Sequence, residues 1–175
     1  MFKGRAPSAS SHEGLREQER LTSALVVRQL PPWHEYLRKR QVKSPKVYIR
    51  DSGLLHSLLD IRDRRDLLGH PKSGASWEGF AMNQVFAQHV VQPQESYFWA
   101  THAGAELDLL VVRRRKRIGF EFKRSSAPEL SKSMQIAVKD LRLKHLYVVF
   151  PGTEQYKLHA KVTALPLSSL AQARL

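Results

Sequence analysis

The chain has 175 residues and no cysteine, so it is long enough for one ordinary domain, and disulfide frameworks and thiolate zinc sites are excluded. Lysine and arginine number 29 against 16 acidic residues, and the formal net charge of +13 predicts a polyanionic partner such as nucleic acid. No apolar run has the roughly 18 residues that a bilayer span needs, and no secretory signal is visible, so we expect a cytoplasmic protein with no membrane partner.

The first section of the chain is predicted to be a small attached piece. Residues 1–14 are small and polar without periodicity and are expected to form a disordered leader. A short charged helix is expected from Leu15 toward Thr22. Further along, the pattern predicts strands at 24–27 and 46–50, a helix capped by Asp51 or Ser52, and a loop at 62–74. We therefore assign residues 15–74 to a linker segment.

Residues 75–175 are predicted to form an α/β domain. A helix is expected from Ser76, as N-cap, to about Val90, and a second helix from Pro128 to Leu141. Strands are predicted at 97–100, 106–112, 118–124, 145–150 and 156–162. The order is helix, three-strand meander, crossover helix, strand, strand, which predicts a mixed sheet flanked by helices.

Four ionisable side chains of this unit are predicted to converge. The strand period of two places Glu121 and Lys123 on one face, opposite the apolar Ile118, Phe120 and Phe122. Asp108 is the only ionisable residue within a long apolar run of the neighbouring strand, so it needs a partner. Because facing carboxylates repel each other, a cation between Asp108 and Glu121 is expected, and Mg²⁺ or Mn²⁺ fits oxygen ligands.

The fourth member of this set is Glu78, which lies on one helical stripe with Met82, Val85 and His89. It is expected to complete the metal ligands, directly or through water. Lys123 could then orient or deprotonate an attacking water and offset the charge that develops on a phosphate. Three of the four residues also have an ordinary structural interpretation, since Glu78 suits the first turn of a helix and Glu121 with Lys123 can form an ion pair. Asp108 is the hardest of the four to explain in this way.

A basic surface is the second predicted site. It comprises the run between two strands and one residue after Lys123, namely Arg113, Arg114, Arg115, Lys116, Arg117 and Arg124. Clustered arginine and lysine side chains neutralise phosphates, so these residues are expected to bind nucleic acid. A solvated basic face, or one that meets an acidic partner chain, is the alternative.

The order of Glu78, Asp108 and Glu121-x-Lys123 on these elements resembles the PD-(D/E)XK nuclease superfamily, which has a restriction-endonuclease-like core. The segments LPPWHEYLRKRQVKSPKVYIRDSGLLHSLL, HPKSGASWEGF, GAELDLL and FEFKRS also resemble an uncharacterised domain at the C-terminal end of bacterial and archaeal AAA-type ATPases. That resemblance implies that the catalytic residues are Glu78, Asp108, Glu121 and Lys123. It also implies that the section from Leu15 to Leu59 is winged-helix-like.

These observations lead to three functional hypotheses. The leading one is a nuclease-like terminal domain of an AAA-type ATPase that binds nucleic acid and hydrolyses phosphodiesters with Mg²⁺. The chain has no G-x-x-x-x-G-K-[ST] loop, so we expect no nucleotide cofactor and an ATPase core on another domain or a split partner. The second hypothesis is a catalytically silent module that docks DNA or protein for the ATPase, and the third is a fragment that pairs as a homodimer.

Overall fold

The computed structural model describes residues 14, 16, 20–22, 24–35 and 41–175. All of the expected leader except Gly14 lies outside the described residues, as does half of the first predicted helix. The consecutive basic residues Arg38, Lys39 and Arg40, which contribute to the net positive charge, lie outside them as well. Within the described ranges, no helix combines the length and the hydropathy that a bilayer crossing requires.

A two-stranded antiparallel sheet opens the described fold. Strand β1 (Val27–Leu30) pairs with strand β2 (Lys46–Ile49). Helix α1 (Ser52–Leu58) follows, with Asp51 as its N-cap accepting a 2.6 Å hydrogen bond from the Leu54 amide. The expected strand at 24–27 was placed too early, since Leu25 has a positive φ of 60° and lies in a turn.

The predicted loop at 62–74 contains a short helix, α2 (Arg64–Gly69). Its charged sequence lacks an apolar stripe, which is why the pattern did not reveal it. The Asp63 side chain caps the helix by accepting a 2.8 Å hydrogen bond from the Asp66 amide. Aspartate at this position satisfies one of the amides that every helix start leaves without an intrahelical partner.

The main sheet is mixed and has six strands. Its elements in chain order are α3 (Ser73–His89), β3 (Ser96–Ala100), β4 (Glu106–Arg113), β5 (Lys116–Phe122), α4 (Lys132–Asp140), β6 (His145–Phe150), β7 (Tyr156–His159) and β8 (Val162–Pro166). The spatial order is β3-β4-β5-β6-β8-β7. The β3-β4-β5 meander is antiparallel, whereas β5, β6 and β8 run parallel. The predicted mixed sheet flanked by helices is confirmed at this level.

Each face of the main sheet is covered by one long helix. On one face Met82 and Val85 of α3 pack with Phe120 and other strand residues. On the other face Met134 and Ala137 of α4 pack with a second set of buried residues. Burial on both faces explains why the central strands are nearly continuous apolar runs.

Three local predictions were wrong. Ser76 does not cap α3, because the helix begins at Ser73 and the buried Ser76 hydroxyl bonds the His56 ring at 2.7 Å. Helix α4 begins at Lys132 rather than Pro128, with Ser131 as its N-cap. The expected strand at 156–162 is a hairpin of β7 and β8, since the chain turns at residues 160–161.

The first section is joined to the edge of the main sheet. The Trp33 amide donates to the Phe98 carbonyl at 2.7 Å, and the Val42 amide donates to the Ala100 carbonyl at 3.0 Å. These bonds cover strand β3, which would otherwise be an exposed edge. They also fix β2 close to the end of β4, where the ionisable residues of the candidate site lie.

Candidate functional site

Asp108 owes its position to an irregularity in strand β4. The pairing of β3 with β4 shifts register between Trp99, which faces Leu107, and Tyr97, which faces Leu110. Side chains two residues apart in a strand normally point to the same face of the sheet. Because of the irregularity, Leu107 packs in the α4 layer whereas Leu109 packs in the α3 layer. A β-bulge of this kind changes the direction in which neighbouring side chains, here that of Asp108, point. The buried Asp108 carboxylate accepts a 3.0 Å hydrogen bond from the Phe122 amide.

Lys46 of β2 inserts its ammonium group among three carboxylates. Its Nζ lies 3.7 Å from Asp108 Oδ1 and 3.9 Å from Glu78 Oε1, and it hydrogen-bonds Glu106 Oε1. The Lys46 side chain is only 14% exposed. Burial alone would lower the pKa of Lys46, but attraction from Asp108, Glu78 and Glu106 outweighs it and raises that pKa.

Glu78 lies in the second turn of α3 and faces the first section of the chain. The Tyr48 hydroxyl donates a 2.7 Å hydrogen bond to Glu78 Oε1. Burial, followed by repulsion from Asp108, raises the pKa of Glu78 to about 7, although Lys46 and Tyr48 oppose the shift. The side chain therefore exchanges its proton near neutral pH.

Glu121 lies on the neighbouring strand β5, and Lys123 directly follows that strand. Lys123 Nζ is 3.2 Å from Glu121 Oε2, with the Lys123 side chain 43% exposed and Glu121 buried. Burial and repulsion from Asp108 raise the pKa of Glu121 well above its usual range, and the two carboxyl groups are within hydrogen-bonding reach of each other. Burial lowers the pKa of Lys123, but attraction from Glu121 and Asp108 outweighs it, so Lys123 is an ammonium ion rather than a base.

These side chains form a carboxylate–lysine cluster that consists of Lys46, Glu78, Glu106, Asp108, Glu121 and Lys123. Four carboxylates face two ammonium groups, so acid groups are in excess. Their oxygens are the donors that Mg²⁺ and Mn²⁺ prefer. Among the residues that the structure describes, however, no three acidic or histidine side chains have the spacing of a preformed metal site. Lys46 stands between Glu78 and Asp108.

The six predicted nucleic-acid-binding residues are not one surface. Arg113 bonds Glu95 at 2.7 Å and the carbonyls of His89 and Val90 at the end of α3. Arg117 bonds Glu35 at 2.5 Å and the Leu141 carbonyl. These two arginines therefore hold elements of the fold together.

The other four predicted basic residues are exposed, but they lie at two places. Arg114, Arg115 and Lys116 form the tip of the β4–β5 hairpin, whereas Arg124 follows Lys123 at the opposite end of β5. Glu121 follows Lys116 by five positions, which is about 17 Å along a strand. Only Arg124 belongs to the same end of the sheet as the carboxylate–lysine cluster.

Four members of the cluster were predicted from the sequence, whereas Lys46 and Glu106 were not, and neither was Tyr48, which bonds Glu78. A signal was present, because Lys46 and Tyr48 alternate with apolar residues on one face of a predicted strand. The sequence did not show that this strand would lie against the end of β4. That placement depends on hydrogen bonds to β3 made by residues whose side chains carry no pattern.

The fold and site define a mixed α/β domain with a buried carboxylate–lysine cluster at one end of its sheet. The chain belongs to the family described as Domain of unknown function (DUF4143), which matches residues 73–170. This is a domain found in proteins associated with AAA ATPases. Residues 16–65 match a second family, Domain of unknown function (DUF8612).

Two curated relatives are uncharacterised proteins, one from Mycobacterium bovis and one from Mycobacterium tuberculosis. Each is 48% identical to this chain over 155 residues, which cover 89% of this chain and 35% of the relative. The chain thus spans about a third of the length of these relatives. No solved structure matches the chain significantly.

Proposed function

We propose that the chain is a nuclease-like domain that works with an AAA-type ATPase and hydrolyses phosphodiesters with a divalent metal ion. The observation that carries the proposal is the convergence of Glu78, Asp108 and Glu121 with Lys123 at one end of the sheet. An excess of buried carboxylates is costly without a cation, and the raised pKa values of Glu78 and Glu121 express that cost.

In this proposal Asp108 and Glu121 would hold the ion, with Glu78 as a further ligand. A bound Mg²⁺ or Mn²⁺ would polarise a phosphoryl oxygen and lower the pKa of a water molecule. Lys123 keeps its proton and offsets the charge that develops on the phosphate, because its ammonium group is partly exposed beside Glu121. The earlier alternative, in which Lys123 deprotonates water, is disfavoured by its raised pKa.

The nucleic-acid partner in this proposal is engaged mainly near Arg124 and at the exposed hairpin tip of Arg114, Arg115 and Lys116. Arg113 and Arg117 are left out of the interface, since their guanidinium groups already bond Glu95 and Glu35. The PD-(D/E)XK and winged-helix assignments belong to the same proposal. They draw support from the order of the elements and from the four site residues.

The proposal is tested by incubating plasmid and single-stranded DNA with the purified chain and Mg²⁺ or Mn²⁺. Metal-dependent cleavage that Glu121→Gln and Asp108→Asn both abolish is the expected result. Glu129→Gln is the control, because Glu129 is exposed and outside the cluster. Cleavage that survives both site substitutions would contradict the proposal, as would an absence of cleavage by the parent chain.

One observation favours a second candidate function, a catalytically silent module that docks DNA or protein for the ATPase. Lys46 already neutralises part of the cluster, and Lys123 pairs with Glu121. In that case the six charged side chains would form a structural network, and divalent ions would not compete with Lys46. Binding of DNA without cleavage, unchanged by Glu121→Gln, would favour this candidate.

A further inference from the structure

A second polar site lies between the two-stranded sheet and α3, away from the carboxylate–lysine cluster. It is an open pocket of about 480 Å³, within the range of small-molecule sites. Its polar lining includes Arg28, Arg50 and Asn83, and its apolar wall includes Phe86 and Pro93. Nothing in the proposed hydrolysis uses these residues.

The two arginines of this pocket have no acidic partner among the described residues. Arg28 donates a 2.9 Å hydrogen bond to the neutral Asn83 amide oxygen and lies 3.7 Å over the Phe86 ring. The Nε–H group of Arg50 is buried and has no hydrogen-bond partner in the part of the chain that the structure describes. A buried donor without an acceptor is rare, and a guanidinium fork without a carboxylate is a ready site for an oxyanion.

Asn83 bonds the Arg28 side chain and the Arg50 backbone. Its side-chain oxygen accepts from Arg28, and its Nδ2 donates to the Arg50 carbonyl. Burial, followed by repulsion from Arg50, lowers the pKa of Arg28 to about 10. The pocket therefore brings two like charges together, and no acidic side chain among the described residues compensates them, so an anion would relieve the repulsion.

We propose that the pocket lined by Arg28, Arg50 and Asn83 binds a phosphate group. Phosphate suits it because two guanidinium groups can each donate to separate oxygens of one dianion. The apolar wall beside Phe86 leaves room for an organic group attached to the phosphate. The phosphate can come from a free phosphate monoester or from a nucleic-acid backbone, and the inference does not depend on the metal site.

The test follows the Nε–H signals of arginine by NMR while inorganic phosphate is added to the full chain in buffer with a metal chelator. We expect a saturable shift of the Arg50 Nε–H signal that chloride at equal ionic strength does not produce. Arg28→Gln and Arg50→Gln should each weaken the apparent affinity about tenfold or more, because each removes a charged donor. Arg65→Gln, which removes an exposed arginine outside the pocket, should leave the affinity unchanged.

Two further titrations identify the source of the phosphate. Tighter binding of AMP than of inorganic phosphate would assign the pocket to a phosphate monoester, and tighter binding of single-stranded DNA without terminal phosphates would assign it to a backbone. An Arg50 signal that does not move, or that moves equally with chloride, would overturn the inference. This parent-chain measurement decides the question even if Arg50→Gln fails to fold.

Discussion

Removing the Lys46 ammonium is the most informative perturbation of the carboxylate–lysine cluster. Lys46→Met keeps an apolar side chain of similar length and removes the ammonium group. Glu78, Glu106 and Asp108 then lose the cation between them. Leaving buried charges unpaired typically costs 3–5 kcal/mol, and we take about 3 kcal/mol because Glu106 is partly exposed. For a chain of this size that loss corresponds to a fall in Tm of about 6–12 °C.

The loss should depend on pH. The folded-state pKa of Glu78 is about 7, above its usual 4.5, so this carboxyl costs stability as the pH rises from 4.5 through 7. Without Lys46 that pKa rises further and the cost grows. The difference in unfolding free energy between Lys46→Met and the parent should therefore be larger at about pH 8 than at about pH 5.

Urea unfolding of the parent, Lys46→Met and the double variant Lys46→Met/Glu78→Gln measures these differences. Lys43→Met is the matched control, because Lys43 is exposed and outside the cluster. The double variant should recover part of the loss, and Mn²⁺ should stabilise Lys46→Met more than the parent. A Lys46→Met stability within about 0.5 kcal/mol of the parent, the range of an ordinary surface change, would refute the reasoning.

Three further substitutions test other parts of the account. Val90 follows the last residue of α3, is exposed, and has a φ of 49°, which is unfavourable for a β-branched residue. Val90→Gly should therefore raise the unfolding free energy in urea titration by about 1 kcal/mol. An unchanged value would contradict this. At Gly119 a Cβ would lie 2.8 Å from methyl groups of Leu143 and Leu146, so Gly119→Ala should lower thermal stability by about 1–3 kcal/mol, whereas no loss in calorimetry would show that these side chains yield freely. Hydrogen bonds from Arg113 and the Gln92 amide hold the pKa of Glu95 at about 2, so its contribution to folding stability is present above pH 4.5 and is lost as the pH falls through 2. Screening by solvent keeps this contribution below about 1 kcal/mol. Glu95→Gln should therefore make the unfolding free energy fall less steeply at acidic pH, and an unchanged pH dependence would contradict this.

The sequence predicted the mixed sheet well because burial on both faces leaves long apolar runs. The run from Leu107 to Val112 and the one from His145 to Phe150 lie in strands as expected. Helix starts were predicted less well. Serine is favoured at helix N-caps, which is why Ser76 was predicted there. In the fold its hydroxyl instead bonds His56, which is distant in sequence.

The candidate site was predicted from one domain, although the structure builds it from two sections of the chain. Strand alternation placed Glu121 beside Lys123, and the isolated charge of Asp108 indicated a partner. The bulge in β4 and the arrival of Lys46 depend on pairing with β3 and on the position of β2. Neither leaves a periodic signal in the sequence.

The basic run from Arg113 to Arg117 was predicted as one surface, but the fold gives its residues different roles. Arg113 and Arg117 look equivalent to their neighbours in the sequence, but in the fold their side chains form ion pairs with Glu95 and Glu35. Arg114 and Arg115 adopt positive φ values of 48° and 65° at the hairpin tip and remain exposed. Charge counting predicted a basic surface but could not separate arginines that stabilise the fold from arginines that are free to bind.

Calorimetric titration of the metal-free chain with Mn²⁺ shows whether Asp108, Glu121 and Glu78 bind a divalent metal ion, as we propose. We expect one saturable site per chain that Asp108→Asn and Glu121→Gln each abolish, that Glu129→Gln leaves intact, and that Lys46→Met strengthens. An absence of saturable binding in both the parent chain and Lys46→Met would rule out this metal site.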